Sequence, residues 1–196
     1  MASIIGVETI QHTNGTTAAT VTSSGKLGVP TLAHTNGTTA ATIDSSGRIL
    51  TPARPAFSAY RTKASGGADN GTTGTIVFNN EDHDIGSCFN TSDGKFTAPI
   101  AGIYHFDVLG FYCLNAAGAA CTPASYFSYL YKNNNIVAIH YAYFGGSGDT
   151  QYPPANINLT LQLAANDVIH YGTHASTYYY ADQTRGYATF SGYLVG

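Results

Sequence analysis

The sequence predicts an all-β protein: a β-sandwich or closed jelly roll of about ten short strands, led by a short arm of β-repeats. Three observations predict it. Apolar and polar residues alternate over short runs such as TIVFNN and GKFTAPIAGIYHFDVLGFY, and no run carries a 3.6-residue stripe. Clusters of turn formers separate these runs, among them NTSDG, KNNN and GGSGDTQYPP. The composition agrees, with 22 glycines, 15 tyrosines and only 10% charged residues.

The first element is an arm, residues 1–54, that contains an internal repeat. QHTNGTTAATVTSSGKLGVP and AHTNGTTAATIDSSGRILTP align without a gap at a 22-residue offset, giving copies at 9–30 and 31–52. Thr9 aligns with Thr31, His12 with His34, Asn14-Gly15 with Asn36-Gly37, and Pro30 with Pro52. Asn-Gly predicts a two-residue type I′ hairpin turn, which needs positive φ at both central positions. TTAATV or TTAATI then reads as a strand, SSGK or SSGR as a second turn, and a short apolar strand ends at proline. Each copy carries only about five substantial apolar side chains, too few to fold alone. Such an arm is expected to gain stability when several chains wrap together. A flexible tail is the alternative. Pro52 and Pro55 in TPARPAFSAYR mark the junction with the next part.

All 15 tyrosines and 9 phenylalanines lie from Phe57 onward. There the strands run through PAFSAYRT, TIVFNN, GKFTAPIAGIYHFDVLGFY, YFSYLYKN, NIVAIHYAYF, INLTLQLAANDVIHYG and YATFSGYLVG. In GKFTAPIAGIYHF, Phe96, Ile100 and Ile103 are expected to pack about a Pro-Ile-Ala-Gly corner whose glycine lets the chain turn. The last strand, Tyr193-Leu194-Val195, is expected to place the C-terminus in the core.

The order of these pieces resembles the complement one-q globular head, of the tumour-necrosis-factor-like jelly-roll group, over residues 55–196. FNTSDGKFTAPIAGIYHFDV carries the likeness best, at Asn90, Gly94, Lys95, Phe96, Thr97, Pro99, Gly102, Tyr104 and Phe106. Ala98 stands where many members have Cys. YLYKNNN, LTLQLAANDVIHY with Asn166-Asp167 as the turn, and TFSGYLVG with Phe190 and Gly192 add to it. The resemblance implies a jelly-roll sandwich and a homotrimer in which aromatic residues of one protomer pack on the next. Tyrosine in place of tryptophan suits such an interface.

Chemistry is sparse. A net charge of −3 and few basic residues argue against nucleic acid. No stretch reaches the roughly 20 apolar residues of a membrane span, so no membrane insertion is expected. The start, MASIIGVETIQ, lacks the basic and apolar regions of a secretory signal. Cys88, Cys113 and Cys121 lack zinc spacing and read as reduced core thiols, with pairing of Cys113 and Cys121 open. Seven histidines show no HExxH or comparable spacing and read as structural; His105 and His170 are candidates for an interface. The acidic run Glu81, Asp82 and Asp84 is the candidate calcium site, a solvated turn being the plainer reading. No nucleophile motif or phosphate loop is present, and no cofactor or enzymatic activity is expected. Tyr178, Tyr179 and Tyr180 with Arg185 form the candidate ligand site, since tyrosines in a polar loop suit sugars and proteins alike; a strand making interface contacts is the other reading.

ATIDSSGRIL followed by proline resembles segments of bacteriophage virion fibre proteins that precede a receptor-binding or trimerising head. Together the two resemblances imply a trimeric virion fibre, knob or decoration protein, assembled in the host cytoplasm. Its arm would dock other virion proteins, and its head would bind a host-surface carbohydrate or protein. A decoration protein without a receptor, or a free trimeric lectin- or cytokine-like module, are the competing expectations.

Overall fold

The computed structural model describes residues 8–63, 67–69, 74–113, 124–144, 154–173, 178–181 and 187–196. Two compact units divide the chain, Met1–Ala53 and Arg54–Gly196. Every regular element among the described residues is a strand.

The first unit is two three-stranded antiparallel meanders, one per repeat. Strands β1 (Thr9–Gln11), β2 (Thr17–Val21) and β3 (Leu27–Gly28) form one, and β4 (Thr31–Ala33), β5 (Thr39–Ile43) and β6 (Ile49–Leu50) the other. The registers repeat as well: Ile10 faces Ala19 as Leu32 faces Ala41. The Asn-Gly turns differ from the expected type I′. The His12 carbonyl accepts from Gly15 N (2.9 Å), and His12 N donates to Thr16 O (2.9 Å). This is a three-residue hairpin loop in which Gly15 is left-handed (φ 86°) and Asn14 is not. The Asn14 side chain accepts from Thr16 N (3.0 Å) instead, and His12 Nδ1 accepts from Asn14 N (3.3 Å). His34 and Asn36 repeat both bonds. The repeated histidines therefore hold turns.

In the second unit the strands are β7 (Ala56–Tyr60), β8 (Gly67–Asp69), β9 (Gly74–Thr75), β10 (Asn80–Ile85), β11 (Phe89–Asn90), β12 (Lys95–Thr97) and β13 (Gly102–Leu109). They continue as β14 (Tyr112–Cys113), β15 (Ala124–Lys132), β16 (Asn135–Phe144), β17 (Ile157–Leu163), β18 (Val168–Thr173), β19 (Tyr178–Ala181) and β20 (Thr189–Leu194). A five-stranded sheet, β10-β7-β20-β13-β17, packs on a six-stranded one, β11-β12-β18-β15-β16 with β9 on β18, to give the jelly-roll sandwich.

Alternation builds the core. In β13, Tyr104, Phe106 and Val108 point in, between exposed or half-exposed neighbours. Phe57 lies at the centre, 4.6 Å from Phe89, 5.3 Å from Phe96 and 5.0 Å from Phe190 between ring centroids. Buried tyrosine hydroxyls are satisfied: Tyr104 donates to Ile100 O and Tyr171 to Ala155 O, both at 2.9 Å.

Three local expectations need correction. Ile100 and Ile103 are about half exposed and do not join Phe96 in the core. Gly102 is a strand residue rather than a corner: a Cβ there would lie 2.6 Å from Leu194 Cδ1, so glycine admits the close approach of the last strand. The chain end runs on from the middle strand of its sheet and is held by backbone bonds, Ile103 N to Gly196 O and Val195 N to Ile103 O, both 2.7 Å, while Tyr193 and Val195 remain exposed.

Candidate functional site

The two sheets present unlike outer faces. Strand alternation puts Ser58, His105, Asp107, Asn158, Thr160 and Ser191 on the outer face of the five-stranded sheet. His105 is tied there to Asn158 and Thr160 and lies over Tyr193. The six-stranded sheet is aromatic outside. Phe127, Tyr129 and Tyr131 alternate along β15 with the buried Tyr126, Ser128 and Leu130. Across the ladder Phe127 faces Tyr141 and Tyr129 faces Ile139. Phe127 lies 4.9 Å from Tyr141 and 6.4 Å from Tyr129, and Tyr131 stacks on His170 at 4.6 Å. Along β16, Ile139, Tyr141 and Tyr143 are 58%, 53% and 64% exposed. An antiparallel strand apolar on both faces carries contact surface on the second.

One end of this sheet is locked by a hairpin tip and by a turn that crosses from the other sheet. Asn133 (φ 50°) and Asn134 (φ 64°) form the type I′ turn between β15 and β16. Asn166 (φ 70°) follows Ala165 as the second central residue of the β17–β18 turn, one position before the expected Asn-Asp pair. Asn133 accepts from Val168 N and donates to Asp167, and Lys132 Nζ is 2.9 Å from Asp167 Oδ2. Those donors, with Ala164 N, hold the Asp167 carboxyl down at about 2.

The motif residues of Phe89–Phe106 have structural posts. Asn90 Oδ1 accepts from Ser92 N, and its carbonyl accepts from Gly94 N. Gly94 (φ 70°) lies directly against the Ile76 and Val77 backbone. Lys95 approaches Asp93 at 3.5 Å, Phe96, Tyr104 and Phe106 are buried, and Pro99 is exposed. Phe190 is buried, and a Cβ on Gly192 would meet Phe106 and Phe57 at 2.7–2.9 Å.

The acidic run lies on a strand, β10, rather than in a turn. Asp84 accepts from Cys88 N (2.9 Å), Cys88 Sγ (3.1 Å) and Phe89 N (3.1 Å), and Asp82 accepts from Ser58 Oγ. Burial and the Asp84 carboxylate push the Cys88 thiol well up. Among the described residues no three His, Cys, Asp or Glu side chains converge as metal ligands. Tyr178, Tyr179 and Tyr180 stand on β19, the middle strand of a small sheet with β14 and β8, not in a loop. Their side chains, Arg185 and the pairing of Cys113 with Cys121 lie outside the described residues.

The β15–β16 face was not singled out from sequence, although the apolar residues at both parities of YFSYLYKN and NIVAIHYAYF signal it. Comparison with known proteins gives three findings. Residues 56–195 match the C1q domain family model. Caprin-2 of Danio rerio is 30% identical over 148 residues, covering 74% of this chain but only 14% of that protein. The globular domain of zebrafish complement 1qA protein superposes with a TM-score of 0.53 at 17% identity, over 72% of this chain and 98% of that one. The family match begins beyond both repeats.

Proposed function

The chain belongs to the C1q domain family, and on that premise we propose that it is a homotrimeric binding module of a bacteriophage particle. The arm attaches it to other virion proteins and the head contacts a host-surface ligand. One observation carries the oligomeric part: apolar side chains that a single copy leaves uncovered. In the arm Ile10, Leu27, Leu32 and Ile49 are 55–72% exposed, and among its described apolar residues only Ala19 is buried. A groove of about 360 Å³ lined by Thr20, Leu27, Gly28, Val29, Pro30 and Ile43 offers a seat for another chain. In the head, β16 offers Ile139, Tyr141 and Tyr143. Burying such surfaces between copies is the main driving force available to this low-charge chain. Family membership and the lack of a nucleophile motif support binding rather than catalysis. The virion assignment rests on the likeness of the Thr-Ile-Asp-Ser-Ser-Gly-Arg phrase of the second repeat copy to fibre segments, so it is separable from the trimer.

Light scattering of the full chain and of residues 54–196 tests assembly. A trimeric head that becomes monomeric with Tyr141→Ser and Tyr143→Asp is the expected result; a head monomeric from the start refutes the β16 contact. Adsorption of the labelled full chain to bacterial cells, with immunogold labelling of purified particles, tests the virion reading. Particle labelling without adsorption favours a decoration protein that has no receptor.

A further inference from the structure

The outer face of the six-stranded sheet changes character from one edge to the other. Register aligns Tyr131 of β15 with His170 of β18, and His170 with Lys95 of β12. Beyond the aromatic row this line enters a cleft of about 510 Å³ lined by Asn90, Asp93, Lys95, Thr97, Asn133, Asn134 and Val168. Its size is that of a small-molecule site. Three segments distant in sequence build it: the β11–β12 hairpin, the β15–β16 tip and the start of β18.

We propose that this cleft binds a neutral saccharide. The inference rests on the reading of the head as a ligand-binding module and names the ligand class. Six of the seven lining residues are polar, which disfavours an apolar guest. The single ammonium, Lys95, has the Asp93 carboxylate 3.5 Å away, so the lining has no net charge to select an ion. What remains is a set of amides and one hydroxyl, groups that both donate and accept. An amide offers a donor and an acceptor side by side, the pattern that adjacent sugar hydroxyls match.

The amide of Asn134 is held for this use. Its Oδ1 lies 3.3 Å from His170 Nε2, and His170 Nδ1 lies 3.0 Å from Thr75 Oγ1. His170 is buried and stacked on Tyr131. A neutral ring donating from Nε2 and accepting at Nδ1 satisfies both contacts and leaves the two Asn134 amide hydrogens without a partner among the described residues. The Asn90 amide hydrogens and the Thr97 hydroxyl are likewise unpartnered there. His170 is a positioning residue, since it acts through Asn134.

The test uses the full chain on an array of neutral and acidic hexose oligosaccharides, including bacterial surface oligosaccharides, with adsorption to host cells measured in parallel. The expected result is retention of a neutral saccharide. In titration with that saccharide, Asn134→Gly, which keeps the left-handed backbone, and Thr97→Val should each weaken Kd at least tenfold with unchanged melting temperature. An array that retains nothing, or only acidic sugars, overturns the proposal. So does a saccharide bound equally well by the double variant. Cell adsorption that survives either outcome leaves the head a binding module and removes only the saccharide cleft; loss of adsorption to all cells removes the receptor reading itself.

Discussion

A Cβ added at Gly15, Gly25, Gly37 or Gly47 in the arm would meet nothing within 4 Å, whereas one added at Gly94 in the head would run into the backbone of Ile76 and Val77. All five glycines have positive φ. At those four positions the arm uses glycine to close hairpins in open space, and at Gly94 the head uses it to close a hairpin against another segment. The same contrast extends to side chains. Ala19 is the one buried apolar residue among the described residues of the arm, while the head encloses Phe57, Phe78, Phe96, Tyr104, Phe106 and Phe190 in one cluster. Local turn chemistry makes a meander, and only the aromatic cluster makes a self-sufficient domain.

The largest effect that would sharpen this contrast is expected at Gly94→Ala. Left-handed strain of about 1–2 kcal/mol adds to an overpacking penalty of about 1–3 kcal/mol. Chemical denaturation of residues 54–196 should show the sum, and a loss below about 1 kcal/mol would break the comparison. Phe190→Ala is expected to cost a comparable amount, about 3–5 kcal/mol by the same measurement, since it empties the space between Phe57, Phe78 and Phe106.

A smaller effect depends on pH. Asp167 is held at about 2, below its ordinary 3.8, by Lys132, Asn133 and Ala164 N. Its folded value is depressed, so its contribution is present above about pH 4 and fades as pH falls through about 2. Thermal melting of wild type and Asp167→Asn should differ at pH 6 and converge by pH 2. A gap that persists at pH 2 would show that charge is not the cause.

The smallest effect belongs to the arm. Gly25→Ala meets open space, so only the backbone strain of about 1–2 kcal/mol remains. It should fall on the arm alone, leaving the denaturation midpoint of the head unchanged. A shift of the head's midpoint would mean that the two units fold as one.

Much of the head was legible in particular residues. Tyr104, Phe106 and Val108 alternate visibly, and the run Asn90 to Phe106 carries the family likeness. Ile100 and Ile103 were misread because apolar residues near a corner face either way, and burial depends on whether another segment reaches them. Asn14-Gly15 was misread because type I′ and three-residue hairpins share an Asn-Gly preference; Asn133-Asn134 adopts the I′ turn instead. The cleft was not legible at all, since Asn90, Asn134 and Val168 share no pattern along the chain.

By itself the sequence determined the strands, the turns, the 22-residue repeat and the all-β class, because those follow from residues within a few positions of one another. Tertiary structure alone decided which face of β16 stays bare, that Gly102 admits the last strand, and that His170 orients Asn134. Each of these depends on strands far apart in the chain that meet only when the sheets assemble, at separations no local pattern records.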